Sequence, residues 1–241
     1  MKTAIVLGTF DGLHGGHRAV IGLASGYHTV AVTFGIPPKA FYDKNPKLLM
    51  MPEDKAAGLK ALGVDEIFTL DFLKVENKTP QEFLFWLKDT FSPALIACGF
   101  NYRFGKGALG DTDTLSVFCK QNGIDFKCAS KVGDENAVSS STLRYLIENG
   151  DVAAANGQIF GGFGFTSRVL HGDSRGKVFG FPTANQAFPE NMVCPKFGVY
   201  ESRITVAGKE YNAITNIGIR PTFKTDFIGC ETFIKDFNGE I

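Results

Sequence analysis

The chain of 241 residues carries 25 basic and 25 acidic side chains, so its formal net charge is zero. Hydrophobic residues make up 44% of it and charged residues 21%, a composition typical of globular proteins. Nonspecific nucleic-acid binding needs a surplus of Lys and Arg, and no apolar run reaches the roughly 18 residues of a membrane span. We therefore expect small-molecule partners rather than nucleic acid or membrane, and the oligomeric state stays open.

The cysteines indicate a reducing environment. They are scattered, odd in number and lack CxxC spacing, which favours buried thiols over disulfides or a zinc site. The five are Cys98, Cys119, Cys128, Cys194 and Cys230. The N-terminal apolar segment is too short for a secretory signal, so the sequence predicts a cytoplasmic protein.

Strand and helix signals alternate through the first part of the chain. Apolar, β-branched runs predict strands over residues 3–7, 29–34, 66–70, 95–98 and 124–128. Periodicity and capping signals predict helices over 18–24, 52–62, from 80 onward, 113–122 and 140–148. Strands joined by helices form a parallel sheet covered on both faces, which is an α/β, doubly wound fold. Ligands bind such sheets outside the carboxyl ends of the strands.

The pattern changes near Ile159. Glycines then separate short β-branched or aromatic runs, and no strong helix signal follows. The runs at 199–206 and 211–217 are separated by residues 207–210, which predict a hairpin connection. We expect domains over residues 1–158 and 159–241, the second a small β-barrel.

A glycine-rich turn, GTFDGLHGGH over residues 8–17, joins the first predicted strand to the first predicted helix. Glycine lets a ligand approach the backbone closely, helix N-termini attract phosphate, and histidine can donate to charge developing on a phosphoryl group. The candidate phosphate-binding residues are Gly8, Thr9, Phe10 and Gly16, and the candidate catalytic residues are His14 and His17. The alternative is a flexible turn that happens to contain histidine.

The segment at residues 99–105 places aromatic rings and an amide at the end of a predicted strand. Rings can stack on a planar ligand and an amide can bond to its edge, so Asn101 and Phe104 are candidate flavin- or nucleotide-binding residues. The alternative is a set of core aromatics beside a solvated Arg103.

Hydroxyl side chains and an arginine begin the helix predicted at residue 140. Ser140 and Ser141 could bind phosphate, and Arg144, one turn into the helix, could neutralise it. The alternative is an ordinary helix cap, which also favours hydroxyl groups.

In the second half, residues 172–185 read GDSRGKVFGFPTAN. Glycines and cations suit a polyphosphate, and neutral oxygens suit a hard cation such as Mg²⁺. The candidates are Gly172, Arg175, Gly176 and Lys177 for phosphate, with Thr183 and Asn185 for the metal. The alternative is a hairpin loop with a solvated, charged tip.

The first and third of these motifs carry a family resemblance. Residues 8–17 resemble the HxGH signature of nucleotidyltransferases, in the longer form typical of bacterial FAD synthetases, and residues 140–144 resemble that superfamily's second signature. The resemblance implies that His14 and His17 stabilise the α-phosphate of ATP, that the hydroxyl groups hold the triphosphate, and that Arg144 neutralises departing pyrophosphate. An FMN phosphate would attack ATP and give FAD.

The motif in the second half resembles the riboflavin kinase fingerprint, whose later blocks are similar to residues 198–200, 216–223 and 231–237. This resemblance implies that Thr183 and Asn185 bind Mg²⁺ and ATP phosphates. It also implies that Glu231 is the base that takes the proton from the 5′-hydroxyl of riboflavin. Without the resemblance, Glu231 is an ordinary strand carboxylate.

Together the resemblances predict an HxGH nucleotidyltransferase domain followed by a partial small β-barrel, acting as FMN adenylyltransferase and riboflavin kinase. The family's histidine after the second strand has no counterpart in residues 33–38, so we expect altered nucleotide binding. The family pattern also extends beyond Ile241, so we expect an incomplete barrel and impaired kinase activity. The alternatives are another HxGH nucleotidyltransferase and a catalytically poor flavin- or nucleotide-binding protein.

Overall fold

A computed structural model describes residues 1–42, 47–131, 138–170, 183–220, 227–237 and 239. The elements of the first half are β1 (Thr3–Leu7), α1 (Gly15–Gly22), β2 (His28–Phe34), α2 (Pro38–Phe41), α3 (Pro52–Ala61), β3 (Glu66–Leu70), α4 (Phe72–Val75), α5 (Pro80–Phe91), β4 (Leu95–Gly99), a 3₁₀ turn (Lys106–Ala108), α6 (Thr112–Asn122), β5 (Asp125–Ala129), α7 (Ser140–Glu148) and α8 (Val152–Asn156). Those of the second half are β6 (Thr183–Ala187), β7 (Gly198–Val206), β8 (Lys209–Arg220) and β9 (Phe227–Ile234).

The first half is a parallel sheet with the strand order β3-β2-β1-β4-β5. On one face, Ile5 and Leu7 of β1 pack against a cluster that includes residues of α5 and α6. On the other, Ala4 and Val6 pack against a cluster that includes residues of α1 and α3. The prediction of a parallel sheet covered on both faces is confirmed. The chain reverses its direction of winding between β1 and β4, which is where such sheets form a ligand crevice.

Several local predictions need correction. Helix α1 begins at Gly15, earlier than the predicted residue 18, because the two glycines after His14 already have a helical backbone conformation. The cap of α7 is Ser139, whose Oγ accepts the Thr142 N–H at 3.1 Å, so Ser140 is already helical. The short helices α2, α4 and α8 were not predicted, since four or five residues are too few to show a helical period.

The predicted start of α5 is confirmed in detail. Thr79 Oγ1 accepts the Glu82 N–H at 3.2 Å, and the Glu82 carboxylate accepts the Thr79 N–H at 2.7 Å. This reciprocal capping box satisfies two N–H groups that a helix start otherwise leaves unpaired. It fixes the helix that packs beneath β1 and β4.

The second half is an antiparallel sheet with the order β6-β9-β8-β7. Val206 pairs with Lys209, so the predicted hairpin turns on Ala207 and Gly208, whose φ angles of 49° and 80° suit a two-residue hairpin turn. One face of this sheet is buried and includes Ile217 and Cys230. The partial barrel expected from the sequence is consistent with this four-stranded sheet.

A short segment, residues 47–50, connects the two halves. The Leu48 N–H donates to the Asn191 carbonyl at 2.7 Å, and the Val193 N–H donates to the Leu48 carbonyl at 2.8 Å. Leu49 and Val193, both 0% exposed, share a core cluster with residues of α7 and α8 and with Ile159. The cluster therefore links the end of the first half to the second half.

The described cysteines are free thiols. Cys98, Cys119 and Cys230 are buried as predicted, and Cys194 is partly buried. Cys128 is exposed because β5 is an edge strand, so the expectation of burial was wrong there. Among the described residues no helix has the length and apolar character to cross a membrane.

Leu49→Ala should lower the free energy of unfolding by about 2–5 kcal/mol, because it leaves a cavity in the cluster between the halves. Denaturant titration of the purified chain measures this value. Leu109→Ala is the matched control, since Leu109 is 76% exposed and should change stability by less than about 0.5 kcal/mol. Equal effects of the two substitutions would contradict the packing described for Leu49.

Candidate active sites

The turn after β1 has an unusual backbone held in place by burial. Phe10 (φ 51°) and Leu13 (φ 40°) lie in the left-handed region, as does Gly12 (φ 90°). A residue with a side chain costs roughly 1–2 kcal/mol there. Both Phe10 and Leu13 are 0% exposed, so packing offsets this cost, and Gly58 leaves room for the Leu13 side chain. The turn is therefore fixed by the core beneath it.

The two histidines lie together at the start of α1. The His14 and His17 rings stack with centroids 3.9 Å apart, and the Phe10 ring meets His17 edge-on at 5.4 Å. A Cβ at Gly16 would lie 3.2 Å from His14 Cε1, closer than most such contacts. Gly16 therefore leaves the space that the His14 ring occupies.

Both imidazoles are neutral near neutral pH. Burial lowers the pKa of His14 to about 4, and burial together with the nearby His14 and Lys55 holds the pKa of His17 well below its usual range. The Nδ1 atoms of both rings are buried and have no hydrogen-bond partner within the described part of the chain. A neutral imidazole retains one N–H donor. Negative charge beside an imidazole raises its pKa, so a bound polyphosphate would favour the protonated form, in which both ring nitrogens donate.

Asp11 ties the turn to α7. Its carboxylate, 3% exposed, forms an ion pair with Arg144 and accepts the N–H groups of Leu49 at 3.0 Å and Met50 at 3.2 Å. Its carbonyl accepts the Ser140 hydroxyl at 2.9 Å. The structure thus brings Ser140 and Arg144, separated from the turn by well over a hundred residues, to Asp11 in the same turn as the histidines. Burial raises the pKa of Asp11, while Arg144 and the two N–H groups favour its charged form.

Lys55 holds the ends of β1 and β2 together. It is 5% exposed, and its Nζ donates to the carbonyls of Phe34, Gly35 at 3.3 Å and Thr9 at 3.5 Å. The Thr33 hydroxyl also donates to the Thr9 carbonyl, at 3.1 Å. Burial lowers the pKa of Lys55, an effect that Asp11 opposes. Thr9 thus takes part in the site through its backbone.

Sequence reasoning did not select Asp11 or Lys55 as site residues. The sequence did contain a signal for Asp11. An acidic side chain inside a glycine-rich turn that follows a buried strand lies near the core and needs a hydrogen-bond or ionic partner there. Lys55 offered no such signal, because it looks like a surface residue in the first turn of α3. Its role depends on carbonyl groups of two other segments, which the sequence pattern does not reveal.

The other predicted residues of this half lie in different surroundings. A Cβ at Gly8 would lie 3.0 Å from the Phe10 ring, so this glycine makes room for Phe10. Ser141 and Asn101 are exposed, at the start of α7 and directly after β4. Phe104 is 6% exposed and packs in the core cluster of α5 and α6, on the other face of the sheet from Phe10. Its ring is occupied by core contacts.

A cluster of polar and charged side chains lies on one face of the second sheet. Asn185 pairs with Glu231 across β6 and β9, and alternation puts Thr183 on the same face. The Thr183 hydroxyl donates to Glu231 Oε1 at 3.0 Å, and Arg220 Nη2 lies 2.5 Å from Glu231 Oε2. Asn185 Oδ1 is buried without a hydrogen-bond partner among the described residues. The structure thus brings Thr183, Asn185 and Glu231 together, and adds Arg220, which was not predicted.

The loop candidates Gly172, Arg175, Gly176 and Lys177 lie outside the described residues. Within the described chain, no cluster of three His, Cys, Asp or Glu side chains could hold a metal. The neutral oxygens of Thr183 and Asn185 are instead the kind of ligand that a hard divalent cation accepts. An unpartnered, buried Oδ1 is the feature that such a cation would satisfy.

Comparison with known proteins identifies both halves. The family model for FAD synthetase matches residues 1–143, and that for riboflavin kinase matches residues 162–241. The bifunctional riboflavin kinase/FMN adenylyltransferases of Bacillus subtilis and Listeria monocytogenes are 31% and 33% identical to this chain. Each alignment covers 100% of this chain and 80% of the relative. The chain belongs to this bifunctional family.

A solved structure shows the same fold over the whole chain. A Streptococcus pneumoniae protein described as a macrolide-efflux protein superposes with a TM-score of 0.86 at 28% identity, over 100% of this chain and 82% of that one. The part of the chain with the histidine turn is the FAD synthetase half, and the part with Glu231 is the riboflavin kinase half.

The buried neutral histidines make stability depend on pH. His14 has a pKa of about 4 when folded and about 6.5 when unfolded, so between these values the unfolded chain binds more protons. The free energy of unfolding should fall as the pH falls through this window. His14→Gln should lose less stability than wild type between about pH 7 and about pH 5, in denaturant titrations at each pH. Equal losses in the two proteins would contradict a buried neutral His14.

Proposed function

We propose that this chain makes FAD from riboflavin in two ATP-dependent steps, with residues 159–241 phosphorylating riboflavin and residues 1–158 transferring AMP from ATP to FMN. The observation that carries the proposal is the convergence of His14, His17, Ser140 and Arg144 at the carboxyl end of β1. The division at 158 is supported by the two family models, since it falls between the residues that they match, 1–143 and 162–241. We propose a cytoplasmic location, which the free thiols of the described cysteines support.

In the adenylyl transfer, a phosphate oxygen of FMN attacks the α-phosphorus of ATP, and the bond to pyrophosphate breaks. The protein supplies no nucleophile, so catalysis is positioning and charge stabilisation. We assign His14 and His17 as donors to the α-phosphate, with the N–H groups of the α1 start beside them. Arg144 neutralises the departing pyrophosphate, and Gly8, Thr9, Phe10, Gly16, Ser140 and Ser141 form the surrounding phosphate site. Asn101 is proposed to contact the nucleotide or flavin, with Phe104 supporting it from the core.

In the phosphoryl transfer, the 5′-hydroxyl of riboflavin attacks the γ-phosphorus of ATP, the bond to the leaving ADP breaks, and the hydroxyl gives its proton to Glu231. Thr183 and Arg220 contact the two oxygens of this carboxylate, which supports a fixed orientation toward the hydroxyl. Thr183 and Asn185 would hold Mg²⁺, and the unpartnered Oδ1 of Asn185 supports that assignment. When bound, Mg²⁺ neutralises charge on the phosphates. Gly172, Arg175, Gly176 and Lys177 stay proposed as phosphate-binding residues of the same half.

The two halves provide controls for each other. His17→Ala removes one donor to the transition state, typically worth about 3–4 kcal/mol, so FAD formation from FMN should fall roughly a hundredfold or more. The same variant should still convert riboflavin to FMN at the wild-type rate. Chromatography of reactions with ATP, Mg²⁺ and either riboflavin or FMN measures both steps. Near-normal FAD formation by His17→Ala would refute the assignment.

The reciprocal variant tests the second half. Glu231→Gln keeps the size of the side chain but cannot accept the hydroxyl proton, so FMN formation should fall by about 10²–10⁴-fold. FAD formation from added FMN should be unchanged, since Glu231 lies in the other sheet. Unchanged FMN formation by Glu231→Gln would remove Glu231 as the base, and a wild-type chain that makes no FMN would refute the kinase step itself.

A further inference from the structure

We infer that Asp11 is the positioning residue for Arg144. It fixes the guanidinium group beside the histidine turn and acts on adenylyl transfer only through that group. This inference rests on the function proposed for the FAD synthetase half. Asp11 itself makes no contact with substrate in this scheme, since both of its carboxylate oxygens already accept hydrogen bonds from the protein.

The Arg144 side chain is held at two points. Its Nη2 pairs with Asp11, and its Nε donates to the Lys47 carbonyl at 2.6 Å. Two contacts fix the plane of a guanidinium group, and among the described residues no other hydrogen-bond partner takes its remaining N–H groups, which can donate to an anion. The side chain is 26% exposed, so it reaches solvent from an otherwise buried anchor. This arrangement suits a polyphosphate that approaches the guanidinium group from solvent.

Asp11 has a structural contact that can be separated from this role. Its Oδ1 accepts the N–H groups of Leu49 and Met50, while Oδ2 pairs with Arg144. Asparagine at position 11 would keep an oxygen for the two N–H groups but present an NH₂ group to Arg144. Because two donors cannot pair, the guanidinium would lose its charged anchor while the segment at residues 47–50 kept its own. Asp11→Asn therefore removes the charged anchor of Arg144 but keeps the two hydrogen bonds that place the segment at residues 47–50.

Catalysis is sensitive to such placement, since a charge that stabilises a transition state must already lie where the charge develops. A displacement of about 1 Å can cost as much as a hundredfold in rate. We expect Asp11→Asn to lower kcat for FAD formation by about 10–100-fold with a smaller change in the KM for FMN. Riboflavin phosphorylation by the same chain should be unchanged. Asp113→Asn, at an exposed position in the first turn of α6, is the matched control.

A double-mutant cycle decides whether Asp11 acts through Arg144. The cycle compares wild type, Asp11→Asn, Arg144→Gln and the double variant. If Asp11 only positions Arg144, the double variant should have the same kcat as Arg144→Gln alone. Multiplying effects of the two substitutions, or a wild-type rate for Asp11→Asn, would overturn the inference.

A binding measurement keeps this test independent of turnover. Calorimetric titration with pyrophosphate should show weaker binding, by about tenfold, for Asp11→Asn than for wild type. In the Arg144→Gln background, Asp11→Asn should cause no further loss. A chain that makes no FAD but shows this coupling would refute the proposed function and support the inference. A chain that makes FAD without the coupling would do the reverse.

Discussion

The buried ion pair between Asp11 and Arg144 is the constraint on which the first half depends. A carboxylate with 3% exposure is costly to bury. Here Arg144 and the N–H groups of Leu49 and Met50 compensate it together, and removal of Arg144 would leave this buried charge without its ionic partner. The pair joins residues 133 positions apart. The histidine turn, α7 and the segment at residues 47–50 therefore take their places together.

The same segment connects the halves of the molecule. Its carbonyl at Lys47 holds Arg144, its N–H groups at Leu49 and Met50 hold Asp11, and Leu48 pairs with Asn191 and Val193 of the second half. Residues 47–50 therefore contact both the candidate adenylyl-transfer site and the riboflavin kinase half. Packing at the junction and geometry at the site are carried by one stretch of chain.

The sequence predicted what depends on local pattern. The apolar run of β1, the capping box of α5 and the HxGH spacing each follow from neighbours in the chain, and the structure places them as expected for the fold. It did not predict what depends on distant partners. Lys55 donates to carbonyls at and just beyond the ends of β1 and β2, and Arg220 meets Glu231 only because β8 and β9 pair. Phe104 resembled a ligand-stacking ring, yet its neighbours in α5 and α6 place it in the core.

Each half has an ion pair at its candidate site, but a different member of the pair is proposed to act on the substrate. In the first half it is the cation, and in the second half it is the acid. In the FAD synthetase half a buried acid anchors a more exposed Arg144, whereas in the riboflavin kinase half Arg220 anchors the acid, Glu231. Exposure differs in the same sense as the role proposed for each group: Asp11 is 3% exposed and Glu231 is 39% exposed. An anchor that never reacts can be buried and rigid, while a base that exchanges a proton needs access to substrate and solvent. Solvent screens the second pair more strongly, so it constrains its half less tightly than the first.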